Sequence, residues 1–303
     1  MSLADQLIQL VATLIRECGL PRHEAWPLLE AASGRYREYW IAHGEEELDR
    51  GALALFQRWV AARQRGVPIA YLTLTREFYG RTFWVNPSTL IPRIDTELII
   101  DTVLALLDNE KSALNLCDLG TGSGCIAITL ALELTARGKA VSITASDSST
   151  AALQVARNNA AWLGATPQMR FVEGSWYEPL ANSPARFDGI VSNPPYVAQN
   201  DPHLQAGDLR FEPRTALSPE ESAEPPVPGT VPGTTGNTDG LADIRTIVAG
   251  ACRHLKSGGF LLIEHGHDQQ DEVESLFAQG GLIRIEGLRD STGTPRAVLG
   301  FAP

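Results

Sequence analysis

The apolar residues of this chain change their spacing twice along its length. From residue 1 to about residue 65 they recur every three to four positions, as Leu3, Leu7 and Leu10 do, and this period predicts amphipathic helices. The predicted helices carry their apolar positions within 3–15, 26–29, 36–41 and 48–60. We interpret residues 1–65 as a small helical domain whose aromatic residues form its core, with a binding surface as the alternative.

The pattern changes between residues 66 and 97. Gly80 separates two β-prone runs, Glu77–Tyr79 and Arg81–Val85, as a glycine does in a β-hairpin. We therefore predict that residues 66–97 form a hairpin connector between two domains.

Strands and helices alternate from Leu114 onward. Strands are predicted at 114–118, 140–146, 169–173, 187–192, 259–264, 282–288 and 296–302, and helices at 123–137, 149–163, 240–256 and 268–279. This alternation is typical of a doubly wound α/β sheet. The last two strands are joined around Asp290–Pro295, which is too short for a parallel crossover of about a dozen residues, so we predict that they pair antiparallel. The predicted fold of residues 98–303 is a Rossmann-like α/β sheet, mostly parallel with an antiparallel last strand, as in class I methyltransferases.

One segment interrupts the alternation. Residues 220–237 contain several prolines, glycines and threonines, which are typical of a surface loop. We predict a flexible loop here, with a lid over the site as the alternative.

Composition and charge narrow the functional classes. The 303 residues carry a formal net charge of −11, which argues against binding driven by DNA phosphates. No apolar run approaches the ~18 residues of a membrane span, and Met1–Asp5 does not resemble the start of a secretory signal. The four cysteines are scattered without metal-ligand spacing, so we expect reduced thiols, no metal and a cytoplasmic location.

A glycine-rich segment, Asp118–Gly124, lies between a predicted strand and a predicted helix. Its glycines alternate as G-x-G-x-G, whereas a dinucleotide site has its last glycine where Cys125 stands. Glycines let the backbone turn sharply and approach a ligand closely. The candidate ligand-binding residues are Asp118, Gly120, Thr121, Gly122, Ser123 and Gly124.

Two further side chains complete a predicted adenosine pocket. Asp147 ends the second strand of the sheet, where an acid commonly accepts the ribose hydroxyls, although it is also a candidate N-cap of the next helix. Trp176 follows the third strand, where it is suited either to cover an adenine ring or to pack in the core. We expect an adenosine-shaped crevice between these residues and the glycine loop.

A fourth strand ends in the segment Asn193-Pro194-Pro195-Tyr196. The two prolines cannot continue a strand, so the chain changes direction and leaves an amide and an aromatic ring at the ligand-binding end of the sheet. An asparagine side chain offers one acceptor and two donors. The segment is therefore suited to a planar group that carries an NH₂, and the alternative is a proline-bearing turn without a ligand.

The two segments together resemble the amino-methyltransferases that use S-adenosylmethionine. Further stretches are similar to the release factor glutamine N5-methyltransferases (the HemK/PrmC family), and these are 90–93 with 95–97, 207–213 and 262–266. The resemblance extends from about residue 66 to the C-terminus. The sequence departs from the family pattern at Ile94, at Ser175 and in the loop at 220–237.

The resemblance implies methylation of the glutamine in the Gly-Gly-Gln motif of peptide chain release factors. It implies S-adenosylmethionine as the cofactor and S-adenosylhomocysteine as the product. Cofactor binding falls to the glycine loop with Asp147, Trp176 and Asn193, and glutamine binding to Asn193, Pro194, Pro195 and Tyr196. The catalytic candidates are Asn193, Pro194 and Tyr196, and residues 1–65 are expected to recognise the release factor.

Two alternatives to this function remain at this level. One is an amino-methyltransferase that acts on adenine or cytosine in nucleic acid, which the net charge of −11 disfavours. The other is a non-catalytic module that keeps the cofactor fold. Four charged residues, Arg93, Glu97, Glu212 and Glu264, are expected either to brace the loops or to contact the substrate.

Overall fold

A computed structural model describes residues 11–44, 46–181, 186–219 and 239–303. The chain forms two compact units, Met1–Thr75 and Arg76–Pro303. The predicted loop at 220–237 and the apolar positions before residue 11 lie outside the described residues.

The first unit is helical, as predicted. Its helices are α1 (Val11–Glu17), α2 (Arg22–Ser33), α3 (Arg37–Ala42), α4 (Arg50–Gln64) and α5 (Ile69–Thr73). The Asp49 side chain caps α4 by accepting from the backbone N–H groups of Gly51 and Ala52. Phe56 on α4 is 1% exposed, so this aromatic position is core. The short helix α5 was not predicted, and it carries the unit beyond the expected end at residue 65.

Nine strands are present among the described residues from Thr75 onward when the hairpin is included. They are β1 (Thr75–Phe78), β2 (Arg81–Trp84), β3 (Leu114–Leu119), β4 (Val141–Asp147), β5 (Met169–Glu173), β6 (Phe187–Ser192), β7 (Leu255–Glu264), β8 (Ile283–Arg289) and β9 (Pro295–Phe301). The predicted hairpin is present as a separate two-stranded sheet of β1 and β2. Only β7 begins clearly earlier than predicted.

The helices of the second unit follow the predicted alternation. They are α6 (Glu97–Leu106), α7 (Cys125–Ala136), α8 (Thr150–Leu163), α9 (Ala242–His254) and α10 (Gln270–Gln279). Side chains on β3 alternate between the two faces of the sheet, so Leu116 packs in a core with residues of α6 and α7 while Cys117 packs in a core with residues of α9 and α10. Helices therefore cover both faces, and all four cysteines are free thiols.

The strand order of the main sheet determines where its crevice lies. The order is β5-β4-β3-β6-β7-β9-β8, and β3 pairs in parallel with both β4 and β6. The chain adds strands on one side of β3 and then on the other, so the order reverses between β3 and β6. Ligands bind at such a reversal, beyond the carboxyl ends of the strands. The predicted antiparallel pairing of the last two strands is confirmed, and β9 also runs antiparallel to β7.

The described part of the chain contains neither a candidate membrane span nor a candidate metal cluster. No helix within it is long and apolar enough to cross a membrane. No group of three or more histidine, cysteine, aspartate or glutamate side chains within it is placed to hold a metal ion.

Candidate active site

A cavity of about 760 Å³ opens where the strand order reverses. Eight of the predicted site residues line it, and they are Gly120, Thr121, Gly122, Ser123, Asp147, Trp176, Asn193 and Pro195. The four that do not line it are Asp118, Gly124, Pro194 and Tyr196. The volume lies within the range of about 300–1,000 Å³ that is usual for small-molecule sites.

The glycine loop forms one wall of the cavity through its backbone. The N–H groups of Gly120 and Thr121 both donate to the Ser146 carbonyl oxygen at the end of β4, at 2.9 Å each. Gly122 has a φ of +55°, and a Cβ there would meet no atom within 4 Å. The space beside Gly122 is therefore open, so a ligand can approach the backbone of the loop closely.

Asp147 joins this wall from β4. Its Oδ2 accepts from Gly122 N at 2.8 Å, and its Oδ1 accepts from Ser149 N at 2.9 Å. The N-cap of α8 is Ser149, whose Oγ accepts from Ala152 N at 3.1 Å, so the alternative assignment of Asp147 as that cap is wrong. Burial raises the pKa of Asp147, and the two N–H donors oppose that shift. Each carboxylate oxygen keeps a further acceptor site, as binding to a ribose diol requires.

Asp118 and Gly124 lie behind the cavity wall. Asp118 is fully buried, its Oδ2 accepts from the Thr121 hydroxyl at 2.7 Å, and burial raises its pKa to about 7. A Cβ on Gly124 would approach Ile128 Cδ1 to 2.7 Å and Ala156 Cβ to 3.2 Å. We therefore expect these residues to shape the loop from behind, and direct contact with a ligand stays a prediction.

Trp176 lines the cavity and also packs in the core. Its backbone has a φ of +45°, which is unusual for a large side chain. Its ring lies 3.4 Å from the position of a Cβ on Gly120, and the same side chain packs against the core on the α9 and α10 side of the sheet. The two roles predicted for this tryptophan are therefore compatible.

Asn193 faces the glycine loop across the cavity. Its Nδ2 donates to the Thr96 hydroxyl at 3.1 Å. Pro195 lines the cavity beside it, whereas Pro194 is buried. The Tyr196 hydroxyl donates to Glu264 Oε1 at 3.1 Å, and burial and this carboxylate raise the pKa of Tyr196. Stacking of the Tyr196 ring on a substrate amide stays a prediction.

Glu264 is a buried carboxylate behind Asn193. Glu264 is 2% exposed, and burial raises its pKa to about 7. The hydroxyls of Thr96 and Tyr196 act in the opposite direction and lower this pKa. Thr96 lies in the family-like stretch 95–97, but it was not identified as a site residue from the sequence, because its partner Asn193 is 97 positions away.

The remaining charged candidates brace the loops around the cavity. Glu212 is buried, accepts from Ile91 N at 3.0 Å and forms an ion pair with Arg93. Glu97 Oε1 accepts from the backbone N–H of Tyr79 at 2.8 Å. These contacts favour bracing for both glutamates, whereas Arg93 also lines the cavity, so contact with a substrate stays a prediction for it.

The sheet order, the antiparallel last strands and a cavity between a glycine loop and an Asn-Pro-Pro-Tyr segment define an α/β methyltransferase. Residues 95–212 match the family described as the Methyltransferase small domain, and residues 6–73 match the PrmC N-terminal domain. The chain belongs to the release factor glutamine methyltransferase family, because it is 41–43% identical to three proteins of that name over 93–96% of its own length.

Its relatives share most of their length with it. The chain is 43% identical to the release factor glutamine methyltransferase of Neisseria gonorrhoeae, over 93% of each chain. It is 41% identical to that of Bordetella pertussis, over 96% of this chain and 99% of the relative. It is 43% identical to that of Burkholderia pseudomallei, over 96% of both chains.

Proposed function

We propose that this protein uses S-adenosylmethionine to methylate the side-chain amide nitrogen (N5) of the glutamine in the Gly-Gly-Gln motif of peptide chain release factors. The observation that carries the proposal is the position of the Asn193 amide. It lines one cavity together with the glycine loop, with its Nδ2 turned to Thr96, which leaves Oδ1 as an acceptor for another amide.

The residues of the cavity fit S-adenosylmethionine. The open space at Gly122 admits a ligand against the loop backbone, the Asp147 carboxylate has acceptor capacity for a ribose diol, and Trp176 supplies an aromatic wall. Thr121 and Ser123 also line the wall. When bound, the cofactor supplies an electrophilic methyl group and leaves as S-adenosylhomocysteine.

The side of the cavity that carries Asn193 would make the amide nitrogen of the substrate glutamine reactive. A carboxamide nitrogen is a poor nucleophile because its lone pair is delocalised into the carbonyl group. Two acceptors, Asn193 Oδ1 and the Pro194 carbonyl oxygen, would each take one N–H and stabilise the nitrogen as positive charge develops. Fixed acceptors of this kind contribute about 2–4 kcal/mol each.

Orientation and proton loss complete the mechanism. We propose that Tyr196 aligns the amide plane, directly or through the adjacent segment, so that the nitrogen meets the methyl group in line. No strong base is needed, because an N-methylated, N-protonated amide is very acidic and loses its proton readily.

The helical unit is proposed to hold the release factor. Tyr36 and Ile41 are large apolar side chains on this unit, 80% and 65% exposed. Replacing both by alanine should raise KM for the release factor and leave cofactor affinity unchanged. An unchanged KM would contradict this part of the proposal.

The direct test is mass spectrometry of a purified release factor after incubation with this protein and S-adenosylmethionine. We expect one added methyl group that maps to the Gly-Gly-Gln glutamine. A release factor with alanine in place of that glutamine is the control and should gain nothing. Methyl transfer to DNA or RNA in parallel reactions, with none to the release factor, would overturn the proposal.

A further inference from the structure

The Asn-Pro-Pro-Tyr segment has few backbone groups that can hold it in place. Two of its four residues are prolines, which have no backbone N–H to donate. The peptide group that joins Tyr196 to Val197 is different, because both of its polar atoms have partners. The Val197 N–H donates to the Leu217 carbonyl oxygen at 2.9 Å, and the Tyr196 carbonyl oxygen accepts from Gln269 Nε2 at 3.0 Å. The end of the segment is therefore held from both sides of this peptide group.

The side-chain amide of Gln269 joins three backbone groups. Its Nε2 donates to the carbonyl oxygens of Tyr196 and Asp239, at 3.0 Å each. Its Oε1 accepts from the Gly266 N–H at 2.8 Å. A carbonyl oxygen only accepts and a backbone N–H only donates, so these partners determine which end of the amide faces Tyr196. Gln269 is the N-cap residue of α10, yet its side chain makes no capping hydrogen bond there, so its amide serves the Tyr196 backbone instead.

Gly240 packs against the same carbonyl group. Its φ is +76°, and a Cβ there would lie 2.1 Å from the Tyr196 carbonyl oxygen and 2.8 Å from the carbonyl carbon. Only a residue without a side chain leaves room for the Tyr196 backbone at this position. Gly240 follows Asp239, the other residue whose carbonyl oxygen Gln269 binds. We name Asp239, Gly240 and Gln269 the Tyr196 clamp.

We propose that Gln269 is a positioning residue that holds the Asn193 side of the cavity in its reactive geometry through the Tyr196 carbonyl group. The Tyr196 hydroxyl also donates to Glu264, so this residue is held at its backbone and at the end of its side chain. A proline has its φ fixed at about −65°, so a shift of Tyr196 passes through the two prolines to Asn193. The role rests on the proposed function, in which Asn193 Oδ1 and the Pro194 carbonyl oxygen bind the substrate amide.

The Tyr196 clamp is separate from the residues that meet a ligand. Neither Gln269 nor Gly240 lines the cavity, so both act through Tyr196. The glycine loop has its own hydrogen bonds, to Ser146 and Asp147. Loss of the clamp should therefore lower turnover and leave the affinity for S-adenosylmethionine unchanged.

The first test is Gln269→Glu, which keeps the shape of the side chain and an acceptor for the Gly266 N–H but has no N–H donor when ionised. Turnover of the release factor at saturating S-adenosylmethionine should fall about 10- to 100-fold, as when reacting groups are displaced by about 1 Å. The dissociation constant for S-adenosylmethionine should stay within about three-fold of the wild-type value.

Two further variants separate the lost donors from the added charge. Gln269→Met removes the donors without adding a charge, and it should lose turnover by a similar factor. Gln279→Glu makes the same charge change on α10 at an exposed residue, whose Nε2 donates to Ser275 Oγ at 3.0 Å. Its turnover should equal that of the wild type.

The second test uses Gly240→Ala with Gly281→Ala as its matched control. Gly281 has a similar φ of +82°, but a Cβ there would meet no atom within 4 Å. Both variants carry the same backbone strain, and only G240A displaces the Tyr196 carbonyl group. Turnover per cofactor-binding molecule should fall about 10- to 100-fold in G240A and stay within about two-fold in G281A. The double variant Q269E/G240A should lose no more than the weaker single variant, because both changes release one peptide group.

The outcomes separate this inference from the proposed function. Failure of the wild type to methylate the release factor would remove the proposed function. With an active wild type, a lower free energy of unfolding but normal turnover per cofactor-binding molecule in Q269E and G240A would mean that the clamp only supports folding, and would overturn the inference. Additive losses in the double variant, or a weaker cofactor affinity with normal turnover at saturation, would overturn it as well.

The Gln269 variants also decide by themselves if G240A does not fold. A loss of turnover in both Q269E and Q269M, with none in Q279E, would support the clamp. A loss in Q269E with full turnover in Q269M would assign the effect to the added charge and overturn the inference.

Discussion

The two walls of the cavity are built in different ways. The glycine-loop wall uses residues close together in sequence, from Gly120 to Ser123, and holds them by backbone N–H groups that donate to Ser146 and Asp147. The Asn193 wall uses side chains from distant parts of the chain, held by partly buried hydrogen bonds from Asn193 to Thr96 and from Tyr196 to Glu264.

The difference explains what each wall can do. The glycine-loop wall is held by hydrogen bonds within the protein and leaves open space beside Gly122, so it suits the binding of a cofactor. A side-chain wall has a polarity that depends on its buried partners, so it suits the control of a reacting nitrogen. We expect changes to the first wall to alter cofactor affinity, and changes to the second to alter turnover.

The largest expected effect is on the second wall. Asn193→Ala removes the acceptor for the substrate amide, and we expect turnover to fall about 100- to 1,000-fold. Asn115→Ala is a matched control. The side-chain amide of Asn115 also donates one hydrogen bond, to the Arg186 carbonyl oxygen at 3.0 Å, but Asn115 lies at the start of β3 and does not line the cavity. Near-normal turnover in N193A, measured by methyl transfer, would contradict the assignment of the two walls.

The second prediction concerns the pH dependence of folding stability. Burial raises the pKa of Glu264 from its ordinary 4.5 to about 7, so between these values the folded protein holds a proton that the unfolded chain releases. Stability therefore falls as pH rises through this window, by about 3 kcal/mol at most, and levels off above it.

Glu264→Gln should remove this slope. Relative to wild type, the free energy of unfolding of E264Q should rise from about pH 5 to about pH 8, as measured by urea denaturation. Glu286→Gln changes an exposed side chain on β8 and serves as the control. A constant difference between E264Q and wild type across this range would mean that Glu264 has no raised pKa.

The third prediction concerns the first wall. Asp147→Ala removes the acceptor of Gly122 N and Ser149 N, so the loop loses two charge-assisted hydrogen bonds. We expect the dissociation constant for S-adenosylmethionine to rise about 10- to 100-fold, with turnover at saturating cofactor little changed. Asp188→Ala is the control, because Asp188 likewise accepts from a backbone N–H, that of Asn115, but does not line the cavity. A loss confined to turnover would contradict the division between the walls.

The smallest expected effect tests the packing behind the glycine loop. Gly124 and Gly164 have similar backbone conformations, with φ of +82° and +79°. A Cβ added at Gly124 would contact Ile128, whereas a Cβ added at Gly164 would meet no atom within 4 Å. Gly164→Ala should cost about 1 kcal/mol of unfolding free energy from the backbone alone. Gly124→Ala should cost about 1–2 kcal/mol more from the contact. Equal costs in urea denaturation would mean that the loop adjusts without strain.

The polar chemistry of the site was only partly predictable from sequence. The G-x-G-x-G spacing identified the first wall because turns and close approach depend on the local backbone. The same spacing did not distinguish Gly122, which faces the cavity, from Asp118, which is buried behind it. That distinction depends on how the loop packs against β3 and α7.

The sequence by itself determined the order of strands and helices, the antiparallel end of the sheet and the position of the Asn-Pro-Pro-Tyr segment. Each follows from local properties, namely the period of apolar residues, a short connection and prolines that cannot continue a strand. Only the tertiary structure decided that Thr96 would meet Asn193 and that Glu264 would meet Tyr196, at separations of 97 and 68 positions. A buried polar group takes whichever partner the packing brings to it, and that partner leaves no local signal in the sequence.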